Sequence, residues 1–405
     1  MTLRTLFSGL IFLFCLSLAI PPTPALSETT NLLSLQEGCL PVIVPATYGG
    51  WDAHNLLDDS PTSGWANETG NIKNNVFVFE LATDATLDSF EFDNAGVDSE
   101  GAAAKDILVE ISSLSAAAGF TKVLQASLAN ITDGQKFKVE KALPGHWLRL
   151  TILTNYGNAE YTELFGFRGY GDRPEPGKSP VISGTYSTSY ANFHVRQQGT
   201  ALAGCYEYND GLLNGAIEGR VMKITWQEGP ESKGPAIMVF SSDGKSFKGF
   251  WWHEKAQNSP AGTWDGSKTS DTVGSCPHWS GSLGGELQKQ LEATGRARVY
   301  GIRFALDSAV IQPDSYPILV EIADVLKADT ALRLAIEGHT DATGAADHNQ
   351  PLSEQRAASV KTYLVEKGIA DDRLSTSGFG PAKPVADNDS ELGRAQNRRV
   401  ELVRQ

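Results

Sequence analysis

The 405-residue sequence has neither a second long apolar run beyond its N-terminal segment nor an excess of positive charge, and each absence excludes a broad class of protein. Beyond residue 27, no stretch approaches the ~20 apolar residues that a bilayer-crossing helix needs, so we expect no transmembrane segment in the mature chain. It also lacks an excess of positive charge. The formal net charge is −14, the wrong sign for a protein that tracks a phosphate backbone, so we expect no nucleic-acid partner.

Catalytic motifs are lacking as well. None of the seven His residues stands in a His-Glu-x-x-His metal spacing, and no Gly-x-Ser-x-Gly elbow or Cys–His pair with a local signature is present. Pairs of Asp and Glu suited to glycoside cleavage stay open, because such carboxylates meet in space and not in sequence. We therefore expect a protein that is not an enzyme.

The N-terminal residues 1–27 are typical of an export signal. Arg4 supplies the positive start, residues 6–20 form the apolar run, and Ala25-Leu26-Ser27 is a small-residue cleavage site. We expect cleavage before Glu28, with a retained N-terminal anchor as the alternative. Cys15 lacks the small residue just before it that a lipoprotein signal needs, so no lipid anchor is expected.

Cysteine is scarce, and three cysteines follow the predicted signal. Export to an oxidising compartment predicts a disulfide. Cys205 and Cys276 are expected to pair because both fall in one candidate domain. Cys39 is then either a buried thiol or an intermolecular link.

Two composition changes divide the mature chain into three parts. Residues 172–180 hold three prolines and a glycine among charges, which indicates a semi-rigid linker, and residues 279–295 indicate a flexible linker with a short helix-forming stretch. The predicted organisation is a signal peptide (1–27), a β-sandwich (28–171), a Pro-rich linker (172–180), a β-meander or barrel (181–278), a flexible linker (279–295) and a C-terminal domain (296–405).

The first two parts are predicted to be all-β. In the first, short apolar runs alternate with turn residues, as in residues 76–81, 89–92, 107–111, 137–139 and 147–152, which is typical of a β-sandwich. In the second, glycines recur beside aromatic residues, which favours an antiparallel meander closed into a small barrel. If Trp251-Trp252 lies on a strand, one ring points inward and one outward. The outward ring is a candidate sugar-stacking or protein-binding surface, and barrel core is the alternative for both.

The third part alternates strands and helices, which predicts an α/β or α+β domain with a mixed sheet. Strands are expected at residues 299–304 and 332–337, and a helix at 316–327. Ser353 is expected to cap a second helix that runs to Lys367 and stops at Gly368. Ala357, Val360 and Leu364 would share its buried face.

Gly338-His-Thr-Asp341 ends the second of these strands, and Arg356 follows in the first turn of the predicted helix. Loops at such strand-to-helix junctions commonly bind ligands. Asp341 accepts hydrogen bonds from an ammonium, and Arg356 clamps a carboxylate with its planar fork, so together they suit one small zwitterion. The alternative is an ordinary salt bridge between the two, which contributes only about 0 to 1 kcal/mol when exposed.

At these residues the C-terminal part resembles the OmpA-like peptidoglycan-binding domain. The resemblance rests on Phe304, Asp307-Ser308, Ile336-Glu-Gly-His-Thr-Asp341, Gly344, Asn349, Leu352-Ser353, Arg356-Ala357, Val360, Gly378, Pro384 and Asn397-Arg-Arg-Val-Glu401. It implies that Asp341 and Arg356 hold the diaminopimelate of the stem peptide. It also implies that the pocket is lined by Asp307, Thr340, Asn349, Leu352 and one of Arg398 and Arg399, because strand alternation sends those two side chains to opposite faces.

The first part resembles the discoidin-like, or coagulation-factor C-type, sandwich with a galactose-binding-like topology. The resemblance rests on residues 55–59, Gly64-Trp65, 148–152, 155–157 and 161–166, although the cysteine pair that usually joins the ends of that domain is missing. It implies carbohydrate-binding loops and a structural calcium held by Asp58, Asp59 and Glu163. We favour the alternative that the aspartates are turn residues, because no closely spaced acidic loop is present. The second part resembles small avidin-like and lipocalin-like barrels.

These features predict a non-enzymatic protein of the periplasm of a Gram-negative-type bacterium, associated with peptidoglycan or the outer membrane. It would bind the stem peptide and present two β modules to another glycan or an envelope protein. The alternative is a cell-wall or polysaccharide hydrolase with a targeting domain. A flagellar stator is not expected, since residues 6–20 hold no acid. A porin is not expected, since the β segments are short and charged.

Overall fold

The structure is a computed structural model that describes residues 30–60, 62–174, 177–229, 232–256, 260–299, 301–305, 307–388 and 391–405. The predicted export signal, with Cys15, lies outside these residues. In the part of the chain that is described, no helix is both long and apolar enough to span a membrane. Three units follow one another along the chain.

The first unit is a sandwich-like pair of β layers. Its main sheet has the order β1-β3-β6-β4-β5 with β8 also paired to β3, and β2 pairs with β7. The strands are β1 (Leu40–Ile43), β2 (Trp65–Ala66), β3 (Asn75–Asp93), β4 (Asp106–Ser112), β5 (Thr121–Ser127), β6 (Gln135–Ile152), β7 (Glu163–Leu164) and β8 (Gly166–Asp172).

The long strand β3 explains how one sheet surrounds a core. Its first half pairs with β1 and its second half with β8, and its register with β6 shifts between Glu80 and Ala85. Phe79 in the first half and Phe92 in the second both contact the ring of Phe167, with centroids 5.7 and 5.1 Å away. The two halves therefore cover the same core, as predicted for a sandwich.

The second unit is a closed eight-stranded antiparallel barrel, in which each strand pairs with the next and the last pairs with the first. This confirms the predicted meander and its closure. The strands are β9 (Gly184–Thr188), β10 (Asn192–Gln198), β11 (Ala201–Tyr206), β12 (Gly211–Glu218), β13 (Val221–Glu228), β14 (Ser232–Phe240), β15 (Ser246–Trp251) and β16 (Gly262–Ser270).

Side chains fill the barrel, and the strand alternation sends every second residue outward. Tyr186, Phe193 and Trp264 belong to the interior cluster. The predicted disulfide between Cys205 and Cys276 is present and ties β11 to the segment that leaves the barrel. Cys39 is a buried free thiol, and burial raises its pKa well above the usual range.

The third unit is an α/β domain with a mixed sheet of order β17-β20-β18-β19, in which only the β18–β19 pair is parallel. The predicted fold class is thus confirmed for all three units. The elements are α1 (Leu283–Thr294), β17 (Arg296–Val299), α2 (Tyr316–Ala328), β18 (Leu334–Gly338), α3 (Ala346–Glu366), β19 (Leu374–Gly378), α4 (Glu391–Asn397) and β20 (Val400–Arg404).

Two predicted elements of this domain were wrong in position. The strand expected at 299–304 lies at Arg296–Val299, and Phe304 makes only an isolated bridge to Ile311. Helix α3 begins at Ala346 and not after Ser353, and it contains Pro351. The Ser353 hydroxyl does not cap a helix, because it bonds to the Gln350 carbonyl and accepts from the Gly380 amide.

The helix-forming stretch expected within the predicted linker 279–295 is present, since residues 283–294 form α1, but this helix is packed and is not part of a flexible connection. The Ser282 hydroxyl caps this helix, and Leu287 and Leu291 enter a core that it shares with the C-terminal sheet. Ala201 and Ala203 on the outer face of β11 belong to the same core. The barrel and the C-terminal domain are therefore packed together.

Candidate functional site

The segment from Gly338 to Asp341 leaves β18 against helix α3. A Cβ on Gly338 would lie 2.1 Å from the Ser353 carbonyl oxygen, so only glycine permits this close approach. The next two amides stay paired, because His339 donates to the Arg399 carbonyl and Thr340 donates to the Gly380 carbonyl, both at 3.0 Å. Asp341 is therefore held at a fixed position beside the helix.

The Asp341 carboxylate is buried and has two partners. Its Oδ1 accepts from the Thr343 amide at 2.9 Å, and its Oδ2 accepts from Nη1 of Arg398 at 2.6 Å. An ionised carboxylate has about four acceptor positions, so room is left for a ligand donor. The ordinary Asp341–Arg356 salt bridge considered from the sequence is not formed among the described residues.

Thr340 and Asn349 support this loop. The Thr340 hydroxyl donates to the Asp341 carbonyl at 2.9 Å, and the Asn349 amide donates to the Thr343 carbonyl at 2.7 Å. Both side chains are buried. The structure thus brings both residues to Asp341, where they hold the loop through its backbone carbonyls.

Arg356 lies in the third turn of α3 and reaches the segment before α2. Its Nε donates to the Ser308 carbonyl at 3.0 Å, and its guanidinium lies 5.1 Å from the centre of the Phe304 ring. Burial lowers its pKa, against the opposing charges of Asp307 and Asp341. Within the described chain its two terminal nitrogens make no hydrogen bond, so the fork is available for a carboxylate.

Asp307 and Leu352 lie on either side of Arg356. Asp307 is exposed with a φ of 50°, and its Oδ1 lies 2.6 Å from Nε2 of His348 in the first turn of α3. Leu352 is half-buried and stands one helical turn before Arg356, on the same face. Both predicted residues therefore border the site.

Arg398 and Arg399 diverge, as the alternation argument predicted. Arg398 pairs with Asp341, whereas the buried Arg399 donates to Oε1 of Glu401 at 2.6 Å and to the Lys383 carbonyl at 3.1 Å. Arg399 thus belongs to a second charged cluster, with Glu337 and Glu401. Of the two arginines it is Arg398 that reaches Asp341, and its contact with a ligand stays a prediction.

That second cluster contains a buried histidine, His339. Its ring nitrogens make no hydrogen bond with the described residues, Nε2 lies 3.8 Å from Oε2 of Glu337, and the ring stacks on Phe379 at 5.5 Å. Burial, followed by the nearby Arg399 charge, lowers its pKa to about 4. Glu337 and Glu401 bring carboxylates within 4.8 Å of it. Both are already bound to arginines, so this cluster is poorly suited to a metal cation.

The three carboxylates proposed for calcium do not come together. Asp58 accepts from the Ser60 amide and the Ser63 hydroxyl, Asp59 pairs with Arg168 at 3.1 Å, and Glu163 accepts from the Asp98 amide. Burial raises the pKa of Asp58 to about 7. The three-ligand groups found among the described residues lie elsewhere. Calcium binding stays a prediction, and this arrangement gives it no support.

Trp251 and Trp252 point to opposite sides, as expected, but the outward ring is not a free surface. Trp251 faces the barrel interior, where its ring lies 5.4 Å from that of Trp226. Trp252 is buried with Phe250 in the core of the first unit, and the Phe250 ring lies 5.0 Å from that of His54. The outward aromatics therefore join the sandwich to the barrel, so the outward ring of the pair is not a sugar-stacking surface. Trp251 packs against the barrel core, as the alternative expected, and Trp252 lies in the core shared with the sandwich.

Sequence reasoning missed several contributors to the site. The Ser308 carbonyl and the Thr343 amide act through backbone atoms, which carry no side-chain signature. Phe304 was noted for the resemblance and not for its contact with Arg356. His348 had no predicted role, because the helix that bears Arg356 was expected to begin only after Ser353 and in fact begins at Ala346.

Comparison with known proteins finds that residues 303–398 match the OmpA family. The chain is 48% identical over 102 residues to the peptidoglycan-binding protein ArfA of Mycobacterium tuberculosis, covering 25% of this chain and 31% of that protein. The chain thus spans less than a third of that relative's length. The chain also matches the crystal structure of the peptidoglycan-associated lipoprotein of Burkholderia pseudomallei at 34% identity. The match covers 26% of this chain and 88% of that chain, with a TM-score of 0.25. A further match is the family 32 carbohydrate-binding module of Streptococcus pneumoniae EndoD, at 16% identity. It covers 35% of this chain and 100% of that chain, with a TM-score of 0.30.

Proposed function

We propose, from the premise that residues 303–398 form a domain of the OmpA family, that this chain binds peptidoglycan in the bacterial envelope. The observation that carries the proposal is the state of the two charged side chains. Arg356 is oriented through Nε alone, which leaves its two terminal nitrogens for a ligand, and Asp341 presents a buried carboxylate in the same domain. A relative named for peptidoglycan binding supports the ligand class.

The ligand group is the zwitterionic end of diaminopimelate in the stem peptide. Its ammonium donates to Asp341, and its carboxylate accepts two parallel hydrogen bonds from Arg356. Bidentate pairs of this kind are stronger and more directional than neutral hydrogen bonds. The contact with Arg398 orients the Asp341 carboxylate, so that it attracts the ammonium without turning toward Arg356.

The chain holds peptidoglycan without cleaving it. The predicted site residues are groups that bind and orient: a carboxylate, two guanidiniums, an amide and a threonine that holds the loop. A zymogram with the full chain is expected to show no clearing of peptidoglycan. Peptidoglycan-clearing activity that remains with the chain through purification would favour the hydrolase alternative.

The two β modules are positioned by this attachment and are available to a second glycan or an envelope protein. A group of rings at one edge of the barrel supports this role. Tyr190 and Tyr208 are partly exposed there, at 38% and 51%, and Tyr190 contacts the rings of Trp251 and Trp264. Exposed aromatic faces of this kind suit sugar rings or protein side chains.

Pull-down on purified sacculi tests the proposal. The full chain is the right material, because the C-terminal domain shares its core with the barrel. Asp341→Ala and Arg356→Ala are each expected to abolish retention on sacculi. Both variants should stay folded, with the circular dichroism spectrum of the original chain. Asp324→Ala removes an exposed carboxylate on α2 of the same domain and is the matched control, expected to bind as the original chain does. Undiminished retention of both site variants would overturn the assignment.

A further inference from the structure

A cavity of about 260 Å³ lies between the barrel and the C-terminal domain. One wall is the outer surface of β12, β13 and β14. The other wall is formed by residues 301–303 and by the turn from Gln396 to Arg399. We call this cavity the interdomain cleft.

The walls of the interdomain cleft are held at a fixed separation. Nη2 of Arg303 pairs with Oε1 of Glu218 across the cleft at 2.5 Å, and the Thr200 hydroxyl donates to the Gly301 carbonyl at 3.3 Å. The shared core of β11, α1 and α2 lies behind them. A ligand would therefore meet a preformed space, which lowers the entropic cost of binding.

The cleft adjoins the peptidoglycan site through one side chain. Arg398 lines the cleft and donates to Asp341. A ligand whose ammonium reaches Asp341 therefore ends beside a guanidinium that also borders the cleft. The cleft and the Asp341 site are therefore neighbours on the two sides of the Arg398 side chain.

Two donors in the cleft have no acceptor among the residues that the structure describes. Lys223 is half-buried on the outer face of β13, between Met222 and Ile224 that face the barrel interior, and it makes no ion pair or hydrogen bond with the described residues. Nε2 of Gln396 is buried and has no hydrogen-bond partner among the described residues. Because a buried donor without an acceptor is costly, Gln396 favours an acceptor supplied by a ligand, and the half-buried Lys223 offers a charged donor in the same cleft.

The charges of the cleft select the ligand. Glu218 is neutralised by Arg303, and Arg399 by Glu401, so Lys223 is the lining cation without a described acidic partner. A half-buried ammonium is stabilised by an anion, and the planar amide of Gln396 on the other wall suits a carboxylate oxygen. The cleft therefore fits a carboxylate on a peptide.

We propose that the interdomain cleft is a second subsite for the peptidoglycan stem peptide, in which Lys223 and Gln396 bind a carboxylate beyond the zwitterionic end. This inference rests on the proposed function of Asp341 and Arg356. It makes the barrel part of the binding site, so the full chain contacts more of the peptide than the C-terminal domain alone does.

Two synthetic stem peptides test the subsite by calorimetric titration of the full chain. Both contain diaminopimelate with a free zwitterionic end, and in the second peptide all other carboxylates are amidated. For the original chain, amidation is expected to weaken binding about tenfold, as for the loss of one charge-assisted hydrogen bond. For Lys223→Ala the two peptides are expected to bind with equal affinity. Lys248→Ala removes an exposed lysine from the outer face of β15, away from the cleft, and is expected to respond to amidation as the original chain does.

The outcomes separate the two proposals. If amidation weakens binding to Lys223→Ala as much as to the original chain, the subsite is wrong while the Asp341 site stands. If Asp341→Ala binds both peptides like the original chain, the proposed function itself is wrong. If inorganic phosphate competes at Lys223 while amidation changes nothing, the cleft takes small anions and not the peptide, which also overturns the inference.

Discussion

Arg398 and Asp341 form an ion pair across 57 positions of sequence, with Nη1 of the arginine 2.6 Å from Oδ2 of the aspartate. The next residue, Arg399, turns to the other side and binds Glu401. Two adjacent arginines therefore have different tasks. One orients the carboxylate of the binding site, and the other compensates a buried charge in the sheet.

Substitution of these neighbours is expected to separate binding from stability. Arg398→Ala leaves Asp341 without its cation and should weaken retention on sacculi with little change in stability, because the Arg398 side chain is 41% exposed. Arg399→Ala breaks a pair of fully buried side chains and should lower the free energy of unfolding by about 3 kcal/mol. Chemical denaturation and sacculus pull-down of both variants measure the difference. Equal loss of stability in the two variants would contradict the division of roles.

His339 is expected to make stability depend on pH. Its pKa is about 4 in the folded chain, against an ordinary value near 6.5, so the unfolded chain binds the proton first. The stability that comes from keeping His339 neutral should therefore be fully present above about pH 6.5. It should be lost as the pH drops toward 4, which lowers the free energy of unfolding by about 3 kcal/mol in total. The groups that face it are Glu337, Glu401, Arg399 and Lys383.

The control for this prediction is His339→Phe. A phenyl ring keeps the stacking on Phe379 and removes two nitrogens that make no hydrogen bond with the described residues. Denaturation midpoints of both chains, measured from pH 4 to 7, should converge at pH 7 and diverge at pH 5 in favour of the variant. Parallel curves for the two chains would show that His339 does not titrate in this window.

The Cys205–Cys276 disulfide is expected to stabilise the barrel and its junction with α1. It closes a loop with a sequence separation of 71, for which chain entropy predicts about 4 kcal/mol. Cys205→Ser combined with Cys276→Ser should therefore lower the calorimetric midpoint. Reducing agent should shift the original chain in the same direction and leave the double variant unchanged. A double variant as stable as the original chain would contradict this role.

Trp252 is expected to act in the contact between sandwich and barrel and not in ligand binding. Trp252→Ala removes a buried ring from the core that these modules share and should cost about 3 to 5 kcal/mol. Tyr208→Ala, at the exposed edge of the barrel, is the control and should leave thermal stability nearly unchanged. A small effect of Trp252→Ala on the melting curve would argue against the contact.

The sequence was most informative where local rules and burial agree. The alternating apolar runs of the first unit and the Gly and aromatic spacing of the second correctly predicted a sandwich and a closed barrel, because each strand hides one face. The buried face of α3 was also correct for Ala357, Val360 and Leu364. Domain boundaries and ligand contacts stay predictions.

The errors arose where tertiary contacts outweigh local signals. Ser353 has the residue type of a helix cap, but its hydroxyl instead receives the Gly380 amide from a distant loop, and the helix already started at Ala346. Residues 279–286 are rich in Gly and Ser, which indicated flexibility, yet α1 already begins at Leu283, because Leu283, Leu287 and Leu291 are buried in a shared core. No sequence pattern could predict the interdomain cleft, because its two walls come from separate modules.

Titration of the full chain with a soluble stem peptide that ends in diaminopimelate is the most direct test of the account. Asp341→Asn keeps the shape of the side chain and removes its charge, and Arg356→Lys keeps the charge and removes the fork. Both are predicted to lower affinity by about a hundredfold, equivalent to ~3 kcal/mol, with the fold unchanged. Affinities equal to that of the original chain in both variants would contradict the claim that these two residues hold the zwitterion.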